Sequence, residues 1–312
     1  MKSIALLFPG QGAQFVGMGK DLYESSPAAK EIFSSAAALM GEDFLPTLFE
    51  GPEEALKRTD VTQVAIYTVS LAAFAALREQ VPELKIAAAG GLSLGEYSAL
   101  TAAGVLSFEE GLKLVRSRSL FMQEAAEAAP GAMAAVLQLD GAVVKEICAK
   151  FEKVYVANFN CPGQIVISGS PAGVEAASKA LAEAGARRVL PLAVGGAFHS
   201  PFMEPAREEL LPLLKETSFG KPLFPVVSNV LGTFYPEDAD FAALLGRQIV
   251  ESVLWEEDFK AILSLGPELS LNAGRAACSA GWRKRSPGRL SAVPPVVWRR
   301  SLAYPGTIWY NI

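Results

Sequence analysis

Apolar residues along this chain fall either into short continuous runs or into longer stretches with helical spacing. The run at residues 2–9 ends at Pro9 and predicts a short buried strand, and a weaker run at residues 85–89 predicts a second strand that leads into Ser93. Between the two, residues 61–77 are apolar with helical spacing. This part of the chain is therefore predicted to alternate strands with helices.

Residues 131–195 have a different pattern, in which the predicted strands and helices are shorter and follow one another closely. Their order is β-α-β-β-α-β, which is that of the split βαβ, ferredoxin-like unit. The segments are strand 132–139, helix 142–151, strands 154–158 and 164–168, helix 174–184 and strand 187–194. We therefore expect a small domain inserted between the residues around Ser93 and those around His199.

Arg118 lies on a predicted helix whose start is marked by a capping box. Ser107 and Glu110 have the spacing of that motif, and the apolar residues that follow place Arg118 against the inward side of the helix. A buried guanidinium needs a partner, because an unpaired buried charge costs several kcal/mol. The partner is either a structural acid such as Glu96 or a substrate carboxylate, and periodicity does not choose between them.

Helix starts are marked at two further places, and three late elements follow. Ser26-Pro27 and Ser200-Pro201 each put a capping serine before the proline of a first helical turn. Residues 225–230 predict a strand and turn, and residues 241–249 and 255–265 predict helices. The chain is thus predicted to be folded as far as residue 267.

Composition predicts a globular protein, with an end that differs from the rest. The chain has 312 residues, 51% of them hydrophobic, which suits about two domains. Its formal charge of −5 argues against bulk nucleic-acid binding. Residues 268–312 carry seven Lys or Arg and one acid, with no sustained period. This tail is either a poorly ordered or foreign extension or a basic docking arm.

The chain lacks the residues that are characteristic of metal-binding, membrane and secreted proteins. One histidine and three cysteines without Cys-x-x-Cys spacing leave a zinc site without ligands, and we expect neither a metal nor a cofactor. No run approaches about 18 uncharged apolar residues, and Ile4–Phe8 is too short for a secretory signal. We therefore expect a cytoplasmic protein that does not associate with membranes.

The loop after the first strand reads Gly10-Gln11-Gly12-Ala13-Gln14. A dinucleotide fingerprint would need glycine at position 15, where the chain has Phe15, so a nucleotide role is disfavoured. A glycine loop after a strand can still expose backbone N–H groups to an anion or a developing oxyanion. The alternative is an ordinary tight turn.

Ser93 and His199 are the candidate reactive side chains. Ser93 stands in Gly91-Leu92-Ser93-Leu94-Gly95, a spacing that suits a sharp strand-to-helix turn with a raised serine. His199 is the single histidine and lies in a glycine-rich loop, a position that favours catalysis over a structural role. An activated serine in this chain has one possible histidine base.

Taken together, these residues resemble the malonyl-CoA:acyl carrier protein transacylases over roughly residues 3–267. Each motif is weak alone, but their order along the chain makes the resemblance specific. The matching motifs are Phe8–Gln14, Gly91–Tyr97, Arg118 with Met122-Gln123, Asn158–Gly169, Ala197–Ser200, Ser228–Val230 and Arg247-Gln248.

The resemblance implies an α/β fold with a hydrolase-like core, a parallel sheet and the inserted ferredoxin-like domain. The large catalytic domain would comprise residues 1–128 and 197–267, the small domain residues 129–196, and the atypical basic tail residues 268–312. It also implies fatty acid biosynthesis, with malonyl-CoA as substrate and acyl carrier protein as partner. We expect a monomer.

The resemblance further implies ping-pong acyl transfer. Ser93 would form a malonyl ester with His199 as base, and the phosphopantetheine thiol of the carrier would then take the acyl group. The backbone N–H groups of Gln11 and Leu94 would hold the oxyanion, and Arg118 would bind the malonyl carboxylate. Gln248 would support the histidine in place of a triad aspartate.

Two departures from the family pattern stand out. Many members have histidine before the nucleophilic serine, where this chain has Leu92. After Gly266-Pro267 the family continues with Gly-Lys and an apolar closing segment, whereas this chain reads Glu268-Leu269-Ser270. An altered reading frame would produce such a change, and the core would then lack its last packed element.

Two other functions use the same residues. A serine hydrolase or thioesterase shares the serine turn, but no acid is placed by sequence to complete a Ser-His-Asp triad. A nonenzymatic carrier-binding protein would not need the intact reactive side chains. An acidic carrier would need a basic surface, for which the candidates are Lys113, Arg116, Arg187 and Arg188. The favoured alternative is that these four are ordinary solvated charges.

Overall fold

The computed structural model describes residues 3–273, 299–304 and 307–311. Its strands are β1 Ser3–Phe8, β2 Lys85–Gly91, β3 Ala132–Leu137, β4 Val154–Cys161, β5 Gln164–Gly169, β6 Arg188–Pro191, β7 Val227–Ser228, β8 Thr233–Phe234, β9 Leu269–Asn272, β10 Arg299–Tyr304 and β11 Thr307–Asn311. Its first six helices are α1 Lys20–Ser25, α2 Pro27–Met40, α3 Phe44–Glu50, α4 Glu53–Lys57, α5 Thr59–Gln80 and α6 Leu94–Ala102. The others are α7 Phe108–Ala128, α8 Gly141–Cys148, α9 Pro171–Glu183, α10 Glu204–Glu216, α11 Phe241–Val250 and α12 Trp255–Ser264, and a 3-10 turn spans Pro201–Met203.

The chain divides into two compact units. Unit 1 takes in Met1–Arg116, Gly220–Val227 and Ile262–Ile312, and unit 2 takes in Ser117–Phe219 and Ser228–Ala261. The expected domains, 1–128 with 197–267 and 129–196, stay a prediction. The segments that follow the small sheet in sequence are grouped with that sheet instead of with unit 1.

Unit 1 is built on a five-stranded sheet with the order β10-β11-β9-β1-β2. Strand β1 runs parallel to both β2 and β9, and all of its residues except Ser3 are buried. Continuous apolar runs of this kind suit parallel strands that are covered on both faces. The strands predicted at residues 2–9 and 85–89 are confirmed, as is an α/β fold with a parallel sheet.

Helix α5 is the core helix of unit 1 and packs against α2, α4 and α6. Among the described residues it alone is long and apolar enough to cross a membrane, so the expectation that no segment approaches this length was wrong. Most of its apolar stretch is buried inside the protein. Such burial is typical of a core helix, because a helix that is apolar all round is covered all round.

Unit 2 contains a four-stranded antiparallel sheet with the order β4-β5-β3-β6. Helices α8 and α9 supply the other half of its core, in which Val144, Val174 and Leu181 pack with Val136 and Ile167 from the strands. The β-α-β-β-α-β order predicted from the sequence is confirmed.

The segment that carries this small sheet leaves and returns at one point. The Gly131 N–H donates to the Gly195 carbonyl at 3.1 Å. A Cβ added to Gly131 would lie 2.4 Å from the Ala197 nitrogen, so glycine is needed for this close approach. We call this crossing, formed by Gly131, Gly195 and Ala197, the neck.

A second connection joins the small sheet to the chain after α11. The Phe159 N–H donates to the Val253 carbonyl at 2.9 Å, and the Val253 N–H donates to the Ala157 carbonyl at 2.8 Å. The Ser252 hydroxyl donates to the Val156 carbonyl at 2.6 Å. Residues 252–253 thereby extend the outer edge of β4, which groups this later segment with the small sheet.

The tail differs from its sequence expectation. Strand β9 pairs with β1 inside the unit 1 sheet, and β11 pairs with β9, although no strand period was detected there. The sheet thus gains a strand after Pro267, where a missing element was expected. Residues 274–298, which hold most of the tail's basic side chains and Cys278, lie outside the described residues. The choice between a poorly ordered or foreign extension and a basic docking arm concerns these residues and stays a prediction.

Candidate active site

Ser93 occupies the turn between β2 and α6. Its backbone has φ 55° and ψ −104°, a conformation that is strained for a residue with a side chain. A Cβ at Gly91 would meet the Gly95 backbone at 2.0 Å, and a Cβ at Gly95 would meet the Phe8 carbonyl oxygen at 2.3 Å. Both glycines are therefore required by the packing, and the predicted sharp strand-to-helix turn is confirmed. Ser93 itself is partly exposed.

The glycine loop after β1 packs directly on this turn. The Leu92 N–H donates to the Phe8 carbonyl at 3.1 Å, and a Cβ at Gly10 would meet the Leu92 carbonyl oxygen at 2.5 Å. Leu94 is the first residue of α6, so its backbone N–H has no acceptor within the helix. Gln11 is exposed at the tip of the loop. The structure thus places the Gln11 loop and the Leu94 turn side by side in unit 1.

The Gln14 side chain shapes the same loop. Its Oε1 accepts a hydrogen bond from the Gly12 N–H at 2.8 Å. Gly12 has φ 102°, in the left-handed region that favours glycine. The amide of Gln14 therefore fixes the end of the loop and uses the Gly12 donor, a contact that the sequence did not predict.

Arg118 lies on α7 and is 1% exposed, so its predicted inward position is confirmed. Its Nη2 donates to Oε1 of Gln248 at 3.0 Å. Gln248 lies on α11 and is itself fully buried. Two residues that are 130 positions apart in the sequence are thus in direct contact within unit 2.

His199 is buried beside the end of α11. It has φ 56°, and the next residue, Ser200, accepts a hydrogen bond from the Phe202 N–H at 3.3 Å, as predicted for a cap. The Nδ1 atom of His199 lies 2.8 Å from the Gln248 carbonyl oxygen. Because a carbonyl can only accept, Nδ1 carries the proton in this contact, and Nε2 of the neutral ring is left as the basic nitrogen.

The position of the Gln248 carbonyl explains why it is available. It belongs to the last turn of α11, where carbonyl groups have no partner within the helix. The imidazole N–H satisfies this acceptor. The negative end of the helix also favours any positive charge that develops on the ring.

Burial, and after it the positive charge of Arg118, lower the pKa of His199 from its ordinary value of 6.5 to about 4. Hydrogen bonds to backbone groups of Gln248 and Glu251 oppose this shift. The ring is therefore neutral at pH 7. A neutral imidazole with an unprotonated Nε2 is the form that can accept a proton from a nucleophile.

Comparisons with known proteins place the chain among the acyltransferases. The acyl transferase domain family matches residues 5–268. The malonyl CoA-acyl carrier protein transacylase of Bacillus subtilis is 41% identical to this chain, over 94% of the chain and 93% of its own length. The chain belongs to the malonyl CoA-acyl carrier protein transacylase family. The resemblance inferred from the motifs is confirmed, and with it an acyltransferase.

Solved structures of this transacylase family agree with the fold. The malonyl CoA-acyl carrier protein transacylase of Clostridium perfringens has a TM-score of 0.83 at 39% identity, over 88% of this chain and 87% of its own. A malonyl-transacylase in complex with its type II PKS acyl-carrier protein has a TM-score of 0.83 at 37% identity, over 88% of this chain and 89% of that one.

The family match also reaches into the tail. The alignment to the Bacillus protein covers 94% of the chain, and residues 268–312 are a larger fraction of the chain than the part left out. Part of the tail is therefore aligned with a transacylase. The residues directly after Pro267 differ from the family pattern, but the alignment with the Bacillus protein continues past this position.

The structure brings the predicted transacylase residues together in two groups. Arg118, His199 and Gln248 meet in unit 2, while Ser93, Gln11 and Leu94 lie in unit 1. Glu96, the alternative partner for Arg118, is buried on α6 in unit 1. The roles of all these residues remain predictions, and so does the choice between Glu96 and a substrate carboxylate.

Sequence reasoning missed the side-chain role of Gln248. Its position in α11 carried a signal, because Ala242, Leu245 and Ile249 mark the buried face and Gln248 lies on that face among them. A polar side chain on an apolar face needs a partner.

Within the described residues, no group of three or more His, Cys, Asp or Glu side chains could hold a metal ion.

Proposed function

We propose that this transacylase transfers a malonyl group from malonyl-CoA to the phosphopantetheine thiol of acyl carrier protein, through a malonyl ester on Ser93, in fatty acid biosynthesis. Family membership supports the substrate and the partner. The observation that carries the proposal is that a neutral base, His199, and a permanent cation, Arg118, contact the same residue, Gln248. His199 and Arg118 both bind Gln248, one through its carbonyl and the other through its side chain.

In the first half-reaction, the Ser93 hydroxyl gives its proton to Nε2 of His199 as its oxygen attacks the thioester carbonyl. The bond from the Ser93 oxygen to the acyl carbon forms, and the bond from that carbon to the CoA sulfur breaks. The proton held on His199 then passes to the departing thiolate. Coenzyme A leaves as a thiol, and the malonyl ester of Ser93 remains.

In the second half-reaction, the phosphopantetheine thiol gives its proton to His199 and its sulfur attacks the malonyl ester. The ester bond to Ser93 breaks, and the Ser93 oxygen recovers a proton from the imidazolium. The single histidine therefore serves first as a base and then as an acid in each half-reaction. Neither half-reaction changes an oxidation state, and His199 carries each proton, so we propose that the reaction needs no cofactor.

Each half-reaction passes through a tetrahedral oxyanion. We propose that the backbone N–H groups of Gln11 and Leu94 hold it. The direct packing of the glycine loop on the serine turn supports this pairing. Each such donor is worth on the order of 3 kcal/mol in comparable sites.

Arg118 is proposed to bind the malonyl carboxylate. A charge-assisted hydrogen bond contributes about 1.5 to 3 kcal/mol, which favours malonyl over acetyl. Its burial supports this role, because a guanidinium removed from water interacts strongly with an anion. A structural ion pair with Glu96 is the alternative.

We propose a hydrolase-like core and a ferredoxin-like small domain at residues 129–196, which the antiparallel order β4-β5-β3-β6 supports. A cytoplasmic monomer is proposed as well. The exposed residues Lys113, Arg116, Arg187 and Arg188 are candidates for contact with an acidic carrier.

The test is to incubate the protein with malonyl-CoA and to map the adduct by peptide mass spectrometry. We expect one malonyl group on the peptide that contains Ser93 and none in Ser93→Ala. Adding acyl carrier protein with its phosphopantetheine arm should clear the adduct and produce malonyl carrier. Modification at another residue would overturn the proposal, and rapid release of malonate without a carrier would indicate a hydrolase.

A further inference from the structure

Two of the contacts of Gln248 use separate parts of the residue. Its backbone carbonyl accepts from Nδ1 of His199, and its side-chain Oε1 accepts from Nη2 of Arg118. The backbone contact is available to any residue at this position. The contact with Arg118 depends on the glutamine side chain, so substitution can test the two contacts independently.

The side chain of Gln248 is held firmly in place. Gln248 is fully buried, and its helical neighbours Leu245 and Ile249 are also fully buried on the same face of α11. Buried amides are kept only where their polar atoms have partners, because an unmet group costs free energy. The amide is thus a fixed acceptor, and a guanidinium that donates to it cannot rotate without losing the hydrogen bond.

An amide suits this position for an electrostatic reason. A carboxylate at the same place would hold Arg118 equally well but would also cancel its charge. The neutral oxygen of Gln248 fixes one edge of the guanidinium and leaves its net charge unchanged. A guanidinium has five N–H donors in a rigid plane, so fixing one edge orients the others as well.

We propose that the Gln248 side chain is a positioning residue that sets selectivity for acyl groups carrying a carboxylate, by holding the guanidinium of Arg118 in a fixed orientation without neutralising it. This inference rests on the proposed function, in which Arg118 binds the malonyl carboxylate. An acyl group without a carboxylate makes no use of Arg118. Its transfer therefore depends on the backbone of Gln248 and not on its side chain.

The experiment compares kcat/KM for malonyl-CoA and acetyl-CoA in the full chain and in Gln248→Leu. Leucine keeps the backbone carbonyl for His199 and removes the acceptor for Arg118. We expect kcat/KM for malonyl-CoA to fall about 10- to 100-fold, the loss expected for one charge-assisted hydrogen bond. For acetyl-CoA we expect a change of less than about threefold. Arg247→Gln is the matched control, since Arg247 is on the same helix and pairs with Glu251 at the surface.

A second variant keeps the test decisive if leucine disturbs folding. Gln248→Glu retains an oxygen acceptor but adds the negative charge that the wild-type amide lacks. We expect it to raise KM for malonyl-CoA, because the new carboxylate competes with the substrate for Arg118, and to leave acetyl transfer close to wild type. A thermal melt of each variant establishes that it is folded.

Three outcomes would overturn parts of this account. Equal losses with both acyl groups would mean that Gln248 acts through His199 or through folding. Unchanged selectivity in both folded variants would mean that the amide does not position Arg118. If the wild-type protein transfers no malonyl group at all, the proposed function fails first, whereas wild-type malonyl transfer with unchanged selectivity in the variants overturns this inference alone.

Discussion

His199 departs from ordinary histidines in both backbone and environment. Its positive φ places a buried ring against the last turn of α11, where the Gln248 carbonyl fixes the tautomer. Burial first, and the charge of Arg118 second, hold its pKa at about 4. A base with so low a pKa is weak, but nearly every molecule of the protein has His199 in the neutral, reactive form near pH 7.

The pH dependence of acylation should follow from this value. We expect kcat/KM for malonyl-CoA to stay nearly constant from pH 7 down to about pH 5 and then to fall as His199 becomes protonated near pH 4. Stopped-flow acylation across this range is the measurement. An inflection near pH 6.5 would show that the ring titrates as an ordinary exposed histidine.

Stability should change with pH for the same reason. Between about pH 6.5 and pH 4 the unfolded chain binds a proton at His199 and the folded chain does not, so the free energy of unfolding falls as the pH falls through this window. The contribution is on the order of 3 kcal/mol. Urea titrations at several pH values should show a steeper loss in the wild type than in His199→Gln. Parallel curves would contradict the assignment, because no other histidine is present.

At the scale of single elements, β9 combines a central position with polar side chains. Ser270 is fully buried, and its hydroxyl has no hydrogen-bond partner among the described residues. The carbonyl oxygen of the Asn272 side chain also lacks a partner there. An unmet buried polar group lowers stability, so this strand holds its place by backbone pairing and by burial of Leu271.

Two serine-to-alanine changes should therefore have opposite signs. Ser270→Ala removes a hydroxyl that has no partner in the described part of the chain, and it should raise the free energy of unfolding by about 1 kcal/mol. Ser252→Ala removes a hydroxyl that donates to the Val156 carbonyl and should lower it by a similar amount. Urea unfolding of both variants beside the wild type measures the difference. Equal signs would show that Ser270 has a partner after all.

For the molecule as a whole, the place of β9 makes the end of the chain part of the unit 1 sheet. A chain ending at Pro267 loses the strand between β1 and β11, and a chain ending at Ala273 keeps β9. We expect the shorter chain to melt several degrees lower, because burial of Leu271 alone is worth about 2 kcal/mol. Equal, cooperative melts for the two chains would contradict a structural role for β9.

Much of the fold could be predicted because its signals are local. Strand β1 follows an apolar run, and Ser26 and Ser107 form the predicted caps, with Ser107 and Glu110 bonded reciprocally. Strand β9 could not be predicted, because its alternate residues are polar although they are buried. Its assignment depends on pairing with β1, which lies more than 260 positions earlier.

Contacts between distant parts of the sequence also decide which segments pack with the small sheet. Residues 252–253 belong with the small sheet through bonds to β4 that span nearly a hundred positions, such as the one from Ser252 to Val156. At the candidate site, the residue types of Ser93, Arg118 and His199 could be identified from motifs. The side-chain contact of Gln248 with Arg118 could not, because it depends on how α7 and α11 pack.

The neck formed by Gly131, Gly195 and Ala197 has a consequence for how such enzymes diversify. A stretch of chain that exits and re-enters at one place can be exchanged as a module, provided that the new segment keeps the β4 edge that bonds residues 252–253. Arg187 and Arg188 lie on this module, while Arg118 and His199 lie outside it. Replacing this module with the corresponding segment of a relative would change the residues at positions 187 and 188. Arg118 and His199 would stay on their original segments.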